Sequence, residues 1–375
     1  MRIAQVAPLH ESVPPKLYGG TERIVSYLTE ELVHRGHDVT LFASGDSKTS
    51  ARLRPMCDRA LRLHRGKLVD PLAHHVLLLE QLTRELDEFD VVHFHLDYLP
   101  FSQIRHFNIP AVTTLHGRLD IPDLAPIFSE FRDMHLMSIS HAQRSPLSWA
   151  GWVGTVQHGL PEDLYRHGDG NGGYLAFLGR ISPEKRLDRA IEISQRVGIP
   201  LRIAAKVDEA DKAYFESEIC PLMRGTNIDF IGEIGEQEKG DFLGNARALL
   251  FPIDWPEPFG LVMIEAMACG TPVIAFRGGS VGEVIEDGVT GYVVNNIAEA
   301  VDAANNLDLI DRSVCRTQFL HRFSAGRMCR DYERIYERIA RLRNTPVQTN
   351  NHLLNQYSGE LLSDVLDQGS EQGCH

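Results

Sequence analysis

Hydrophobic positions fall into two alternating patterns along the first half of the chain. Short apolar, β-branched runs occur at RIAQVA (2–7), DVTLFA (38–43), VVHFH (91–95), AVTTLH (111–116), HLMSIS (135–140) and TVQHGL (155–160). Runs this short, without polar alternation, predict buried parallel strands. After the first run, Ile24, Val25, Leu28 and Leu32 recur at helical spacing, predicting a helix from about Glu22 to Arg35 with Gly36 as its stop. YGGT at 18–21 is the glycine turn between strand and helix. The alternation predicts a doubly wound α/β domain over residues 1–166.

HGDGNGG at 167–173 has the composition of a linker, and the alternation restarts after it. YLAFLGR, LRIAAKV, NIDFIGE, ALLFPI, TPVIAF and GYVV read as strands. Helices are expected near 187–197, 211–219, 237–246, 260–269, 281–286 and 297–306. This predicts a second Rossmann-like domain over 174–322. SAGRMCRDYERIYERIARLR (324–343) carries Met328, Tyr332, Ile335, Tyr336 and Ile339 on one side, the mark of an amphipathic helix. The remaining residues, 344–375, form a polar tail. Sheets of this kind bind ligands beyond the carboxyl ends of their strands, so the cleft between two facing domains is the expected site.

Composition narrows the function classes. A chain of 375 residues is long enough for two domains of ordinary size. Its net charge of −13 argues against a nucleic-acid binder working through a basic surface. No apolar run is long enough to span a membrane. The six cysteines include no C-x-x-C pair and read as reduced thiols, and MRIAQVAP at the start reads as a strand and not as a signal peptide. The expected location is the cytoplasm.

The densest candidate chemistry lies in EPFGLVMIEAMACGTPV, 257–273. Pro258 disfavours helix at Glu257 and puts it on a loop. A helix from Gly260 to Cys269, stopped by Gly270, leaves the N–H groups of Phe259, Gly260 and Leu261 free at a helix N-terminus, an anion site. Glu265 then falls among apolar neighbours, where a carboxylate needs partners; two vicinal hydroxyls, as in a ribose, would satisfy it. A partly exposed helix glutamate beside an unrelated loop glutamate fits the spacing equally well. GRISPEK (179–185) puts Arg180 and Lys185 at a strand's carboxyl end, either to neutralise a diphosphate leaving group or as a solvated basic loop. Gly19 and Gly20 let backbone approach a ligand but are not the G-x-G-x-x-G of a dinucleotide site, so hydride transfer with NAD is disfavoured. His93 and His95 alternate to one strand face as a conceivable metal pair, but no third ligand is placed by sequence. No D-x-D occurs either, which favours Arg and Lys over a metal for charge neutralisation.

Taken together, GGTERxVxxLxxELxxRGHDV, TLHG at 114–117, GRISPEK and E-P-F-G-L-V-M-I-E-A-M-A-C-G-T-P-V-I-A resemble family 4 of the glycosyltransferases, retaining enzymes of the GT-B fold, over about residues 1–343. The resemblance implies roles. Arg180, Lys185, Glu257 and His116 would serve catalysis, the two cations on the donor diphosphate, Glu257 and His116 at the transferred sugar. Glu265 would hold the ribose, Phe259, Gly260 and Leu261 would present N–H groups, and Gly20 would approach from the N-terminal domain. The base would lie near Gly232 and Glu233, and the helix at 323–343 would cross back to the N-terminal domain. Two departures stand out: His158-Gly159 replaces a common Asn-Gly pair, and Ala205-Lys206 replaces a glycine-rich turn, so Lys206 adds a cation near the nucleotide. The implied reaction moves a sugar from a UDP-, GDP- or ADP-linked donor to a hydroxyl acceptor (sugar, glycan, lipid or small molecule) without metal or other cofactor. The acceptor would be recognised by loops at roughly 44–75 and 97–130. An epimerase or phosphorylase of like architecture, or a non-catalytic sugar-nucleotide sensor, are the alternatives.

Overall fold

The computed structural model describes residues 1–16, 19–63, 69–106, 109–224 and 227–344. Among the described residues thirteen strands fall into two sheets. The N-terminal sheet contains β1 (Arg2–Val6), β2 (Asp38–Ala43), β3 (Arg52–Pro55), β4 (Val91–Phe94), β5 (Ala111–Thr114), β6 (Leu136–Ser138) and β7 (Trp152–Thr155). The C-terminal sheet contains β8 (Leu175–Arg180), β9 (Leu201–Lys206), β10 (Ile228–Gly232), β11 (Ala248–Phe251), β12 (Val273–Phe276) and β13 (Gly291–Val294). Their orders are β3-β2-β1-β4-β5-β6-β7 and β10-β9-β8-β11-β12-β13, and every pairing is parallel. Each order reverses once, at β1/β4 and at β8/β11. Crevices open at the carboxyl ends of the strands at such reversals.

The central strands are buried on both faces, as their unbroken apolar runs require. Elsewhere the pattern misled. The strand expected at 155–160 is β7, at Trp152–Thr155, and the following run leaves the sheet. Its Val156 and Leu160 are buried all the same, because Leu160 is bridged to Ser324 at the start of the last helix. Several elements carried no expectation of their own, and two of them show why. β3 (RLRP) is a half-exposed edge strand with no apolar run. The helix Arg312–Arg322 buries only Cys315 and Phe319, and the Asp311 side chain caps it by accepting from the Ser313 N–H. The helix expected near 211–219 runs on as one helical stretch, Lys212 to Met223, with a π turn at Phe215–Ile219.

The glycine-rich segment 167–173 is pinned to the C-terminal domain. The N–H groups of Gly168, Gly170 and Gly172 donate to the carbonyls of Cys269, Gly244 and Asn245 at 2.9–3.0 Å. A Cβ on Gly168 would lie 2.3 Å from the Gly244 carbonyl oxygen, so glycine here serves close packing.

The helix Ala325–Asn344 packs against the helix Gly20–His34. Its Met328, Cys329, Tyr332, Tyr336 and Ile339 are buried in one cluster with Ile3, Val91 and Val112 of the N-terminal sheet and Ile24 and Leu28 of the helix Gly20–His34. That cluster continues into Leu249, Phe259, Met263 and Val273, so one apolar cluster extends through both domains. The polar tail expected after 343 lies outside the described residues from 345 onward. Among the described residues no helix is long and apolar enough to cross a membrane.

The junction between Leu160 and the last helix tolerates no side chain at its neck. A Cβ on Gly159 would meet the Ser324 carbonyl oxygen at 2.3 Å. Gly159→Ala is expected to cost about 1–3 kcal/mol and lower the melting temperature. Gly282→Ala, which enters open space, should leave it unchanged or slightly raised; equal melting temperatures for both variants would contradict this packing.

Candidate active site

Two strand ends and one loop build the C-terminal wall of the cleft. β8 delivers Arg180 as its last residue, β9 delivers Lys206, and the turn Pro183–Lys185 brings Lys185 back toward the sheet. Lys185 is ion-paired with Glu257, and its Nζ lies 4.7 Å from the centre of the Trp255 ring. The Trp255 indole N–H donates to the same Glu257 oxygen at 3.0 Å. Arg180 bonds Glu184 at 2.8 Å, and Lys206 bonds Asp208 at 2.7 Å.

The loop carrying Glu257 is shaped by glycine. Gly279 has φ +50°, and a Cβ there would sit 2.1 Å from the Glu257 carbonyl oxygen. Ser280 braces the loop, its N–H donating to the Glu257 carbonyl and its hydroxyl to that of Phe259, at 2.9 and 2.8 Å. Gly260, at φ +77°, turns the chain into the helix Leu261–Ala268. The first N–H groups of a helix have no partner within it, and Phe259, Gly260, Leu261 and Val262 line the cleft.

Glu265 points from this helix into the cleft wall at 3% exposure. Lys239 Nζ holds it at 2.7 Å and stands 3.6 Å from Glu236. Glu236 in turn pairs with Arg23 of the helix Gly20–His34 and accepts from the Tyr165 hydroxyl. A chain of alternating charge, Glu265–Lys239–Glu236–Arg23, therefore runs from the C-terminal domain to the N-terminal one. Burial raises the Glu236 carboxyl above its ordinary range.

The N-terminal wall brings Gly20 and His116. Gly20 opens its helix, and a Cβ on it would lie 3.6 Å from Leu261 Cδ1, so the two domains meet there. His116 follows β5, with Nε2 2.9 Å from His95 Nδ1. Its ring stacks on His158 at 5.4 Å, and His158 meets the edge of Phe259 at 4.8 Å. Desolvation pulls the His116 pKa down to about 3, so the ring is neutral. The Arg118 guanidinium lies 5.8 Å from the centre of the Trp255 ring, and the Ser140 hydroxyl donates to the Pro258 carbonyl at 2.7 Å.

Between the walls lies a cleft of about 900 Å³, a volume suited to a small-molecule ligand. Arg180, Lys185, Lys206, Glu233, Glu257, Phe259, Gly260, Leu261, Glu265, Gly20 and His116 all line it. Gly232 does not line it; at φ +76° it ends β10 and turns the chain so that Glu233 and Ile234 do. Lys185 and Arg180 are not loose cations but members of ion pairs, and Glu265 has a lysine partner already. The metal-pair reading of His93 and His95 fails, because the protein engages both nitrogens of each ring. His93 bonds Tyr336 and Thr114 at 2.7 Å each, and His95 bonds His116 and Gln5 at 2.9 Å each. Among the described residues no group of three His, Cys, Asp or Glu is placed to hold a metal. Sequence reasoning missed Lys239, Glu236 and Arg23; their only signal was the charge-rich GEIGEQEKGD and the Arg of GGTER.

Two facing parallel sheets with this cleft between them define the GT-B class of glycosyltransferases. Residues 18–180 match the family model described as Glycosyltransferase Family 4, and residues 167–312 match that of Glycosyl transferases group 1. The chain belongs to the family 4 type and is a glycosyltransferase. It is 24% identical to a phosphatidyl-myo-inositol mannosyltransferase of Mycobacterium tuberculosis, over 92% of this chain and 97% of the relative. It is 27% identical to an uncharacterized glycosyltransferase of Methanocaldococcus jannaschii, over 48% of this chain; the match spans about half (51%) of that relative. The fold is shared with Anabaena HepE, solved in complex with UDP and glucose, at a TM-score of 0.70, 18% identity and coverage of 90% of this chain and 99% of that one.

Removing Lys239 leaves the buried Glu265 without its cation. Lys239→Met should destabilise the protein by about 2–4 kcal/mol in chemical denaturation. The double variant Lys239→Met/Glu265→Leu should recover most of that loss; a single variant as stable as the parent would show that the pair contributes nothing.

Proposed function

We propose that this protein transfers a sugar from a nucleotide-diphosphate donor to a hydroxyl acceptor with retention of anomeric configuration. The observation that carries the reading is the convergence of Arg180, Lys185, the N-terminus of the helix Leu261–Ala268 and Glu265 on one cleft. A pyrophosphate suits two cations and a helix N-terminus, and a ribose suits the buried Glu265. The UDP-glucose bound by HepE and the mannosyltransferase name of the mycobacterial relative support the same class.

On this reading the diphosphate competes with Glu184 for Arg180 and with Glu257 for Lys185. Glu257 is then released toward the sugar hydroxyls while Lys185 turns to phosphate. Glu233 and Lys206 flank the base, and Gly20 lets the N-terminal domain close on the phosphates. The bond between the anomeric carbon and the phosphate oxygen breaks, and the acceptor oxygen bonds to the same face. The acceptor's proton passes to the departing phosphate oxygen, whose charge Arg180 and Lys185 stabilise. No cleft carboxylate is an obvious covalent nucleophile, which favours this front-face route over a glycosyl-enzyme. With two cations on the leaving group the reaction needs no metal, and closure of the domains limits hydrolysis. The acceptor enters from the N-terminal side, past His10, Arg62 and Leu72.

Lys185→Ala and Arg180→Ala should each lower kcat by roughly 10²–10³. Glu265→Ala should chiefly raise KM for the donor. Chelation with EDTA should leave turnover unchanged, and NMR of the first-formed product should show the donor's own anomeric configuration. Full turnover in Lys185→Ala, or an inverted product, would overturn the reading; sugar rearranged or released without an acceptor would point to an epimerase or hydrolase.

A further inference from the structure

A row of buried polar groups leads from the cleft to the last helix. Gln5, on β1, lies at its centre. Its Oε1 is 2.9 Å from His95 Nε2, and its Nε2 donates to the Tyr336 hydroxyl at 3.1 Å. On one side His95 Nδ1 meets His116 Nε2 at 2.9 Å. On the other, Tyr336 meets His93 Nδ1 at 2.7 Å, His93 Nε2 meets Thr114 at 2.7 Å, and Thr114 meets the Tyr332 hydroxyl at 3.0 Å. Gln5, His93, His95, Thr114, Tyr332 and Tyr336 are all buried.

In such a row each proton fixes the next. The carbonyl oxygen of Gln5 only accepts, so His95 carries its proton on Nε2. A neutral His95 then accepts at Nδ1, and His116 must donate from Nε2. His116 Nδ1 is left as a bare lone pair. It is buried, and no described residue bonds it. On the far side the same orientation of Gln5 makes the Tyr336 hydroxyl donate to His93 Nδ1, and His93 Nε2–H donate to Thr114.

We propose that Gln5 and His95 are positioning residues that hold His116 in one tautomer, with the proton on Nε2, so that the cleft meets a hydrogen-bond acceptor at Nδ1. Its partner is a hydroxyl of the bound sugar, the group that supplies a donor where the described residues supply none. The proposal rests on the transfer reading for the identity of that ligand, but the tautomer itself does not depend on it. Protonation is no competing state. Desolvation holds His93, His95 and His158 well below the ordinary imidazole range; His116 lowers all three further, His93 and His158 also lower His95, and Arg327 adds to this at His158. The carboxylate near His116 that bonds it, Asp97, accepts its backbone N–H and not its ring. Reversing the Gln5 amide would reverse every bond in the row and turn Nδ1 into a donor, because the Tyr336 hydroxyl can serve either orientation; an Nδ1–H tautomer is therefore the outcome that contradicts the orientation described here.

The test is ¹⁵N–¹H correlation of the imidazole nitrogens in labelled protein, with His116 assigned by comparison with His116→Gln. In the parent, His116 should show one neutral tautomer, Nε2–H, unchanged from about pH 5.5 to 8. Gln5→Leu should give a mixture or the opposite tautomer, and Tyr336→Phe, which frees the amide while leaving Gln5 in place, should do so to a lesser degree. With donor and acceptor, Gln5→Leu should lower kcat about tenfold or more with little change in KM, the size typical of a group that orients a histidine from behind. A parent His116 that titrates in this range, or carries its proton on Nδ1, overturns the proposal. So does an unchanged tautomer in both variants. The correct tautomer in a protein that turns over no donor would instead sink the transfer reading and leave this one standing.

Discussion

Two buried carboxylates, each facing one lysine, shape the cleft. Glu257 and Glu265 are 8% and 3% exposed, and a carboxylate taken that far from water needs a cation or strong donors. Lys185 answers Glu257 and Lys239 answers Glu265. The first pairing ties the loop after β11 to the turn after β8. The second ties the helix Leu261–Ala268 to the helix Glu236–Gly244 and, through Glu236 and Arg23, to the other domain. The site is thus a set of charges already compensated within the protein, which a dianionic ligand bearing vicinal hydroxyls can re-partner.

The same economy of buried polarity governs how the domains are held together. The last helix brings Tyr332 and Tyr336 beneath the N-terminal sheet, and their hydroxyls are satisfied by Thr114, His93 and Gln5. Those partners connect onward to His116 at the cleft. A helix whose packing anchors one domain to the other therefore also reaches the wall where chemistry is proposed. Closure motions that shift this helix would be felt at His116 through hydrogen bonds and not only through packing.

Much of this was legible in the chain. Parallel strands and their helices announced themselves through short apolar runs and 3.6-residue spacing, and Arg180, Lys185, Glu257 and Glu265 stood out because charge was set at strand ends or inside an apolar helix. The limits have physical causes. β3 and the helix Arg312–Arg322 carry too few buried side chains to leave a periodic trace. The run at 155–160 is apolar because the last helix covers it, and burial alone does not distinguish a strand from a covered loop. Gly168 and Gly170 looked like a tether, but the missing side chains let backbone touch backbone at Gly168 and leave room for the Arg312 guanidinium at Gly170. Lys239 and Arg23 were hidden for another reason: ion-pair partners come from separate elements, and no local spacing encodes them.

The most direct measurement is a crystal structure of the protein soaked with a nucleoside diphosphate. The phosphates should lie within hydrogen-bond reach of Arg180, Lys185 and the N–H groups at Gly260 and Leu261, with both ribose hydroxyls on Glu265. A nucleotide bound elsewhere, or one lying in the cleft with Lys185–Glu257 and Lys239–Glu265 undisturbed and no phosphate contact to either cation, would contradict the assignment.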